Sequence, residues 1–221
     1  MRLRKIKDAK ERLCQDNNKY FINDLENLKG KFPNIFNNSN PIHIEIGCGK
    51  GKFIVENAIR HPEINFIAVE KFDSVLLRCL EKALNYDLNN LKLINVDALE
   101  LGTYFKEKSI DVIYLNFSDP WPKRHHAKRR LTSPTFLEIY KKILKDDGAI
   151  YQKTDNRILF AYSLESFSNN GFSISNISLN LHKDLLNENN KLENIETEYE
   201  EKFGVNGPIY RLEARKVLNN D

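Results

Sequence analysis

The sequence has few of the features that mark a membrane, secreted or metal-binding protein. Its 221 residues include three cysteines, which are odd in number and too far apart for metal-ligand spacing, as expected for free thiols in a reducing compartment. It contains no apolar run of membrane-helix length, no signal-peptide pattern and no internal repeat. We therefore expect a cytoplasmic protein without a metal site or a membrane contact.

The net charge is also small, but the charges are unevenly distributed. Thirty-four Lys and Arg stand against 31 Asp and Glu, and the resulting charge of +3 does not by itself indicate a polyanionic partner. Residues 123–130 hold five basic side chains and two histidines without an acid, whereas residues 184–201 hold seven acids against one lysine. The length predicts a single domain, 1–221, with a basic N-terminal segment over about residues 1–30.

Apolar segments of strand length alternate with amphipathic segments of helix length along most of the chain. The predicted strands cover residues 42–46, 64–70, 91–98, 109–117, 148–154, 172–179 and 208–217. The predicted helices cover residues 5–29, 51–60, 74–88 and 133–144. This alternation predicts a doubly wound α/β fold, in which a mostly parallel seven-stranded sheet has helices on both faces and its last two strands form an antiparallel pair.

The turn after the first predicted strand has glycines at nucleotide-loop spacing but lacks the full dinucleotide fingerprint. Glu45 precedes the spacing G-x-G-x-G, formed by Gly47, Gly49 and Gly51. The third glycine of the fingerprint would fall on Lys52 instead. A carboxylate at this turn also disfavours a pyrophosphate, because like charges repel strongly in a partly dry cleft. The turn therefore favours a cationic ligand without phosphates.

Two more carboxylates follow predicted strands. Glu70 ends the second strand and Asp97 the third, and ligands of doubly wound sheets bind outside these carboxyl ends. A carboxylate at Glu70 can accept hydrogen bonds from ribose hydroxyls, and one at Asp97 can accept from an adenine amine. Three acids around a glycine turn suit an adenosine ligand with a positive sulfur, and we expect S-adenosylmethionine as the cofactor.

The loop after the fourth predicted strand, FSDPWPKRHHAKRRL at residues 117–131, joins an acid to a dense basic run. Its two prolines stiffen the turn, and we expect Trp121, the only tryptophan, to pack the loop rather than stack on a base. A ring nitrogen with a free lone pair needs no deprotonation before methyl transfer, so Asp119 is expected to hold the base or the donor in position. The basic run predicts an RNA-binding surface formed by Arg124, His125, Lys128, Arg129 and Arg130.

The sequence resembles the bacterial tRNA (guanine-N7-)-methyltransferase family over nearly its whole length. The resemblance rests on the ordered motifs IEIGCGKG, AVEK, VDAL, FSDPWPK with RRLT, QKTDN, TEYEEKF and GPIYRLE. It implies a Rossmann-like methyltransferase that uses S-adenosylmethionine to methylate N7 of a guanosine in the variable loop of tRNA. We expect tRNA as the partner and a monomer or homodimer that needs no other protein.

The resemblance also implies roles for individual residues. It places methyl-donor contacts on Glu45, Glu70, Asp97 and Asp119, with Asp119 as the catalytic position. It places tRNA or guanine contacts on Lys123, Asp155, Thr197, Glu198, Tyr199 and Glu200. On chemical grounds, we expect Glu200 to accept hydrogen bonds from the N1–H and amino edge of guanine. Methylation of an exocyclic amine on another RNA base, and tRNA binding without catalysis, stay open as alternatives.

Overall fold

A computed structural model describes residues 5–15, 18–29, 35–186 and 194–218 of the chain. The strands are β1 (Ile42–Ile46), β2 (Asn65–Val69), β3 (Leu91–Ile94), β4 (Ile110–Asn116), β5 (Leu144–Thr154), β6 (Phe172–Ser178) and β7 (Tyr210–Lys216). The α-helices are α1 (Ala9–Leu13), α2 (Lys52–Arg60), α3 (Asp73–Ala83), α4 (Leu101–Tyr104), α5 (Pro134–Ile143), α6 (Arg157–Asn169), α7 (Leu181–Leu185) and α8 (Glu198–Phe203).

The seven strands form one sheet in the order β3-β2-β1-β4-β5-β7-β6. All pairings from β3 to β5 are parallel, whereas β7 is antiparallel to both β5 and β6. This topology confirms the predicted doubly wound sheet and its antiparallel last pair. The strand order reverses between the neighbours β1 and β4, and a ligand crevice is expected outside the carboxyl ends of strands at such a point.

Helices pack on both faces of the sheet because side chains of a buried strand alternate between them. In β2, Phe66 and Ala68 join the cluster of buried side chains from α2 and α3. Ile67 and Val69 join the second cluster, which includes side chains from α4, α5 and α6. No helix within the described residues is long and apolar enough to cross a membrane.

The N-terminal segment differs from the helix that its sequence predicts. Only α1 and a short turn at Glu26–Leu28 are helical, while positions 16 and 17 lie outside the described residues. The side-chain oxygen of Asn18 accepts hydrogen bonds from the backbone N–H groups of Tyr20 and Phe21, and Phe21 forms a parallel bridge with Leu93 of β3. These contacts at the sheet edge outweigh the local helical preference, and the prediction of one helix over 5–29 is wrong.

The structure also contains α6, which lies in a stretch without a predicted helix. Asn156 caps it, since its side-chain oxygen accepts a hydrogen bond of 2.8 Å from the Leu159 N–H. Leu159, Phe160 and Phe167 are buried on its inner side. An asparagine cap before an apolar run is the sequence signal that could have identified this helix.

Candidate functional site

A cleft of about 750 Å³ lies at the carboxyl ends of the first four strands. Its volume falls within the range of about 300–1,000 Å³ that is usual for small-molecule sites. Five of the predicted cofactor residues line it, namely Gly47, Gly49, Glu70, Asp97 and Asp119. Apolar surface comes from Ile46, Val69, Phe72, Val96, Leu99 and Phe136. The cleft therefore combines an apolar wall, on which a ring could pack, with carboxylates from three successive strand ends.

The glycine turn has two parts with different requirements. Gly47 and Gly49 have φ angles of +76° and +58°, and a Cβ at either position would meet no atom within 4 Å. They therefore combine a left-handed turn with space for a ligand beside the backbone. Gly51 does not line the cleft, because it precedes α2 and a Cβ there would lie 2.2 Å from the Cys79 sulfur. Its role is close packing of α2 against α3, not the predicted cofactor contact.

Glu45 lies beneath the glycine turn and outside the cleft lining, at only 2% exposure. Asn116 donates a hydrogen bond of 2.9 Å to Oε1, whereas Oε2 has no donor among the described residues. Burial raises the pKa of Glu45 to about 8, although the Asn116 hydrogen bond and the charge of Lys153 act in the opposite direction. A buried acceptor without a donor is costly, so this end of β1 fits a ligand that supplies a hydrogen-bond donor or a positive charge.

Glu70 and Asp97 have carboxylates that are partly fixed by backbone groups. The Phe72 N–H donates a hydrogen bond of 3.0 Å to Glu70, and burial raises the pKa of this carboxyl while backbone N–H groups of Phe72 and Gly49 oppose the rise. Asp97 accepts a hydrogen bond of 3.0 Å from the Leu99 N–H and caps the short turn at Ala98–Glu100. Both carboxylates are thus held at the cleft, as the expected adenosine ligand requires.

The loop after β4 presents Asp119 to the same cleft. Its side chain is exposed and forms no hydrogen bond or ion pair with any residue that the structure describes. Phe117 and Trp121, on either side of it, adopt left-handed backbone conformations with φ of +48° and +42°. Such conformations are uncommon for large side chains and persist where surrounding contacts impose them. Asp119 is therefore a free carboxylate on a strained loop.

The basic run forms a 3-10 turn at Arg124–Arg129 beside this loop. Lys123, Arg124, His125, Lys128 and Arg129 are exposed, and none pairs with a carboxylate within the described part of the chain. The Arg129 guanidinium lies 4.9 Å from the centre of the Trp121 ring, and His126 contacts the same ring edge-on at 5.5 Å. Lys128 and Arg129 also line the cleft, so positive charge adjoins the ligand site.

Arg130 does not belong to the predicted RNA-binding surface, because only 6% of this residue is exposed. Its guanidinium turns inward, where Nε donates to the Pro120 carbonyl at 2.9 Å and Nη2 donates to the Trp121 carbonyl at 3.1 Å. The prediction of an RNA contact at this position is wrong. A buried guanidinium that donates to two backbone carbonyls cannot also reach a phosphate on the surface.

Glu200 also lies elsewhere than predicted, being 1% exposed in α8. Lys153 of β5 donates a hydrogen bond of 2.6 Å to Oε2, while His182 Nε2 and Asn194 Nδ2 lie 2.9 Å and 3.0 Å from Oε1. Burial alone would raise the pKa of Glu200, but Lys153, His182 and Asn194 hold it below the ordinary value. Both oxygens have partners inside the protein, so the expected contact with the guanine edge is wrong.

The neighbours of Glu200 divide into structural and accessible residues. Thr197 caps α8 by accepting a hydrogen bond of 3.0 Å from the Glu200 N–H. Glu198 accepts from the Lys52 N–H at 3.2 Å and forms an ion pair with Lys82. These contacts attach α8 to the start of α2 and to α3, so Thr197 and Glu198 serve the packing of the segment.

Tyr199 is the member of this segment that faces outward, with 42% exposure. Its hydroxyl donates a hydrogen bond of 2.8 Å to Asp155, and its ring centre lies 5.1 Å from that of Phe117. Phe117 begins the loop that carries Asp119, so Tyr199 and Asp155 adjoin the reaction side of the cleft. The structure therefore brings Tyr199 and Asp155 beside Phe117, which lies two residues before Asp119 in the chain.

Several residues with clear roles in this site escaped the sequence analysis. The lysines that hold the acidic segment, Lys52, Lys82 and Lys153, come from three different elements. Only Lys153 lies in a quoted motif, QKTDN, where the acid after it was the residue singled out. Spacing could not reveal these partners because the pairs are distant in sequence.

Comparison with known proteins agrees with the geometry of the cleft. A family model described as a putative methyltransferase matches residues 39–212. A tRNA (guanine-N(7)-)-methyltransferase of Staphylococcus carnosus is 51% identical over 97% of this chain and 99% of its own length. One of Listeria monocytogenes is 49% identical over 97% of this chain and 98% of its own.

Among solved structures, an antibiotic-related methyltransferase superposes with a TM-score of 0.62 at 14% identity, covering 91% of this chain and 98% of its own. At that identity, the likeness shows the fold alone. The match to the family model and the two relatives, which extend over nearly the full length, decide the family. This chain belongs to the tRNA (guanine-N(7)-)-methyltransferase family.

Proposed function

We propose that this protein transfers the methyl group of S-adenosylmethionine to N7 of a guanosine in the variable loop of tRNA. The observation that carries the proposal is one cleft that joins strand-end carboxylates, the free carboxylate of Asp119 and unpaired basic side chains. The first group suits a cationic adenosine ligand, and the last suits a polyanion. Two relatives that are named for this activity are 51% and 49% identical to this chain over 97% of its length.

Gly47, Gly49, Glu70 and Asp97 would hold the methyl donor in the cleft. The two glycines leave the backbone open, and the two carboxylates offer acceptors for hydroxyl and amino groups. When bound, S-adenosylmethionine supplies a methyl group on a positively charged sulfur, which the lone pair of guanine N7 can accept without prior loss of a proton. Glu45 lies beneath this site, where its Oε2 has no donor among the described residues.

Asp119 acts as the residue that positions the reacting groups. Its carboxylate is free of protein partners among the described residues, so it can accept a hydrogen bond from the base or from the donor's ammonium group. Positioning can lower a barrier by about 7–11 kcal/mol in favourable systems. No strong base is required, since the target nitrogen already carries its lone pair.

The tRNA would lie over the exposed basic run and the tyrosine beside the cleft. Lys123, Arg124, His125, Lys128 and Arg129 are available for phosphates, and Tyr199 and Asp155 for the nucleoside. Thr197, Glu198 and Glu200 hold the segment that carries Tyr199 and make no direct contact with the base. We propose tRNA as the partner, with no other protein required, in the cytoplasm, where the free cysteines stay reduced.

The decisive experiment incubates the purified protein with labelled S-adenosylmethionine and unmodified tRNA transcripts, and then maps the methylated base. The expected product is N7-methylguanosine in the variable loop, and a transcript with that guanosine replaced by adenosine is the matched control. A methyl group on an exocyclic amine would instead indicate a different RNA methyltransferase. Binding of tRNA without any transfer would indicate a non-catalytic protein, and either result would overturn the proposal.

A further inference from the structure

The loop that carries Asp119 cannot hold its shape through its own backbone hydrogen bonds alone. Pro120 and Pro122 have no N–H to donate, and Phe117 and Trp121 adopt left-handed conformations. Large side chains rarely adopt such a conformation, so the surroundings must supply the compensating contacts. The question is which side chain provides them.

Arg130 contacts this loop directly from the protein interior. Its guanidinium spans two consecutive carbonyls, those of Pro120 and Trp121, with donor–acceptor distances of 2.9 Å and 3.1 Å. On its other side, the guanidinium carbon lies 4.4 Å from the centre of the Tyr162 ring of α6. A planar guanidinium can donate two parallel hydrogen bonds and stack on an aromatic ring at the same time, and a lysine ammonium cannot reproduce this geometry.

The next residue along the chain shows the contrast. Arg129 is exposed and lies against the outer side of the loop, over the Trp121 ring, whereas Arg130 is 6% exposed and holds the backbone of the same loop. The two adjacent arginines therefore contact one loop from two sides, and only one of them can meet a ligand.

We propose that Arg130 is the positioning residue that sets the conformation of the Asp119 loop, and that it makes no contact with RNA. This inference rests on the proposed function only where turnover is measured. The conformational part can be read in the free protein, because Trp121 is the only tryptophan and lies within the loop itself.

The test compares Arg130→Lys and Arg130→Gln with Arg124→Ala, an exposed cation of the same basic run. The expected result for both Arg130 variants is a red shift of tryptophan emission and at least a doubling of the acrylamide quenching constant. Turnover at saturating tRNA should fall by tenfold or more, with the affinity for tRNA and its salt dependence unchanged. Arg124→Ala should leave the fluorescence unchanged, and it should bind tRNA more weakly and with less salt dependence.

A second pair of variants separates loop positioning from a general loss of folding. Tyr162→Leu removes the aromatic face beneath the guanidinium, and Tyr162→Phe keeps it. We expect the leucine variant to shift the fluorescence in the same direction by a smaller amount, and the phenylalanine variant to match the wild type. This pair also gives an answer if the Arg130 variants do not fold.

Unchanged fluorescence in Arg130→Gln and Tyr162→Leu would overturn the proposal, as would a lower salt slope of tRNA binding in Arg130→Gln, which removes the charge. If the fluorescence changes as expected but the wild-type protein does not methylate tRNA, the proposed function fails and the role of Arg130 in the loop stands.

Discussion

The basic run and the acidic segment of this protein use their charges in opposite ways. The cations at Lys123–Arg129 are exposed and have no carboxylate partner among the described residues. The carboxylates of Glu198, Glu200 and Glu201 each pair with a lysine from another element, namely Lys82, Lys153 and Lys52. Charge density alone would have suggested that both segments bind a ligand.

A charged side chain therefore indicates a ligand only when the protein leaves it without a partner. A buried carboxylate is very costly unless an opposite charge and hydrogen bonds accompany it, and Glu200 has both. That pairing uses up its capacity to bind a base. Solvent satisfies the exposed cations instead, and a polyanion can replace that solvent with a gain from released counterions.

The buried pair should give the largest effect on stability. Lys153→Met removes the lysine that pairs with the buried Glu200 carboxylate and leaves it with His182 and Asn194, and loss of one partner of such a pair costs about 3–5 kcal/mol. The free energy of unfolding is measured by urea denaturation. Lys52→Met is the matched control, since its pair with Glu201 is partly exposed and such pairs contribute about 1 kcal/mol or less. Equal losses in the two variants would show that burial does not distinguish these two ion pairs.

Asp119 is the acid that lacks a protein partner, so its loss should affect chemistry rather than folding. Asp119→Ala is expected to lower single-turnover methylation on the order of 10²-fold or more, as for other groups that stabilise or orient reacting atoms. The affinity for tRNA should stay within about threefold, because the basic run is intact. Asp119→Asn, which keeps an acceptor oxygen, should lose less. Near-normal turnover in the alanine variant would contradict the assigned role.

Glu45 is buried like Glu200, but no lysine among the described residues forms a hydrogen bond with it. Burial raises its pKa to about 8 from an ordinary 4.5, whereas Lys153 and two other donors hold the pKa of Glu200 below the ordinary value. The contribution of Glu45 to the free energy of unfolding is therefore fully present below about pH 4.5. It is lost as the pH rises to about 8.

Glu45→Gln should remove that pH dependence. Between pH 6 and 8, we expect the wild type to lose about 2 kcal/mol of unfolding free energy relative to the variant. Urea denaturation of both proteins at pH 6, 7 and 8 measures the difference. Parallel stability curves would show that Glu45 is already ionised at pH 6, and its environment would then resemble that of Glu200.

The smallest effects are expected from single cations of the basic run. Arg124→Ala and Lys128→Ala should each lower the slope of log affinity for tRNA against log salt by about 0.7 to 0.9 if the side chain contacts one phosphate. Lys142→Ala on α5 is the control for net charge. Lys142 is exposed next to the start of β5, whereas the basic run lies beside the cleft at the carboxyl ends of the strands. An equal change in all three variants would mean that net charge, and not the position of the run, governs binding.

Much of the fold could be predicted because hydrophobic periodicity reports local structure. β1 coincides with the predicted strand, and β2, β4 and β6 begin and end within one residue of their predicted limits. The N-terminal helix failed for the opposite reason, since Phe21 gains a backbone partner at the sheet edge that no local pattern reveals. The carboxylates of Glu70, Asp97 and Asp119 line one cleft because the carboxyl ends of parallel strands meet at one end of the sheet.

Periodicity, strand ends and ordered motifs in the sequence were enough to predict the succession of strands along the chain, the position of the ligand cleft at the strand ends, and the family. Which charged residues lack a protein partner depends on the tertiary structure. Lys153 and Glu200 are 47 residues apart, and Arg130 turns inward while Arg129, its neighbour, faces outward. Pairing and burial depend on distances in space, and for elements far apart in sequence these distances arise only when the sheet and its helices assemble.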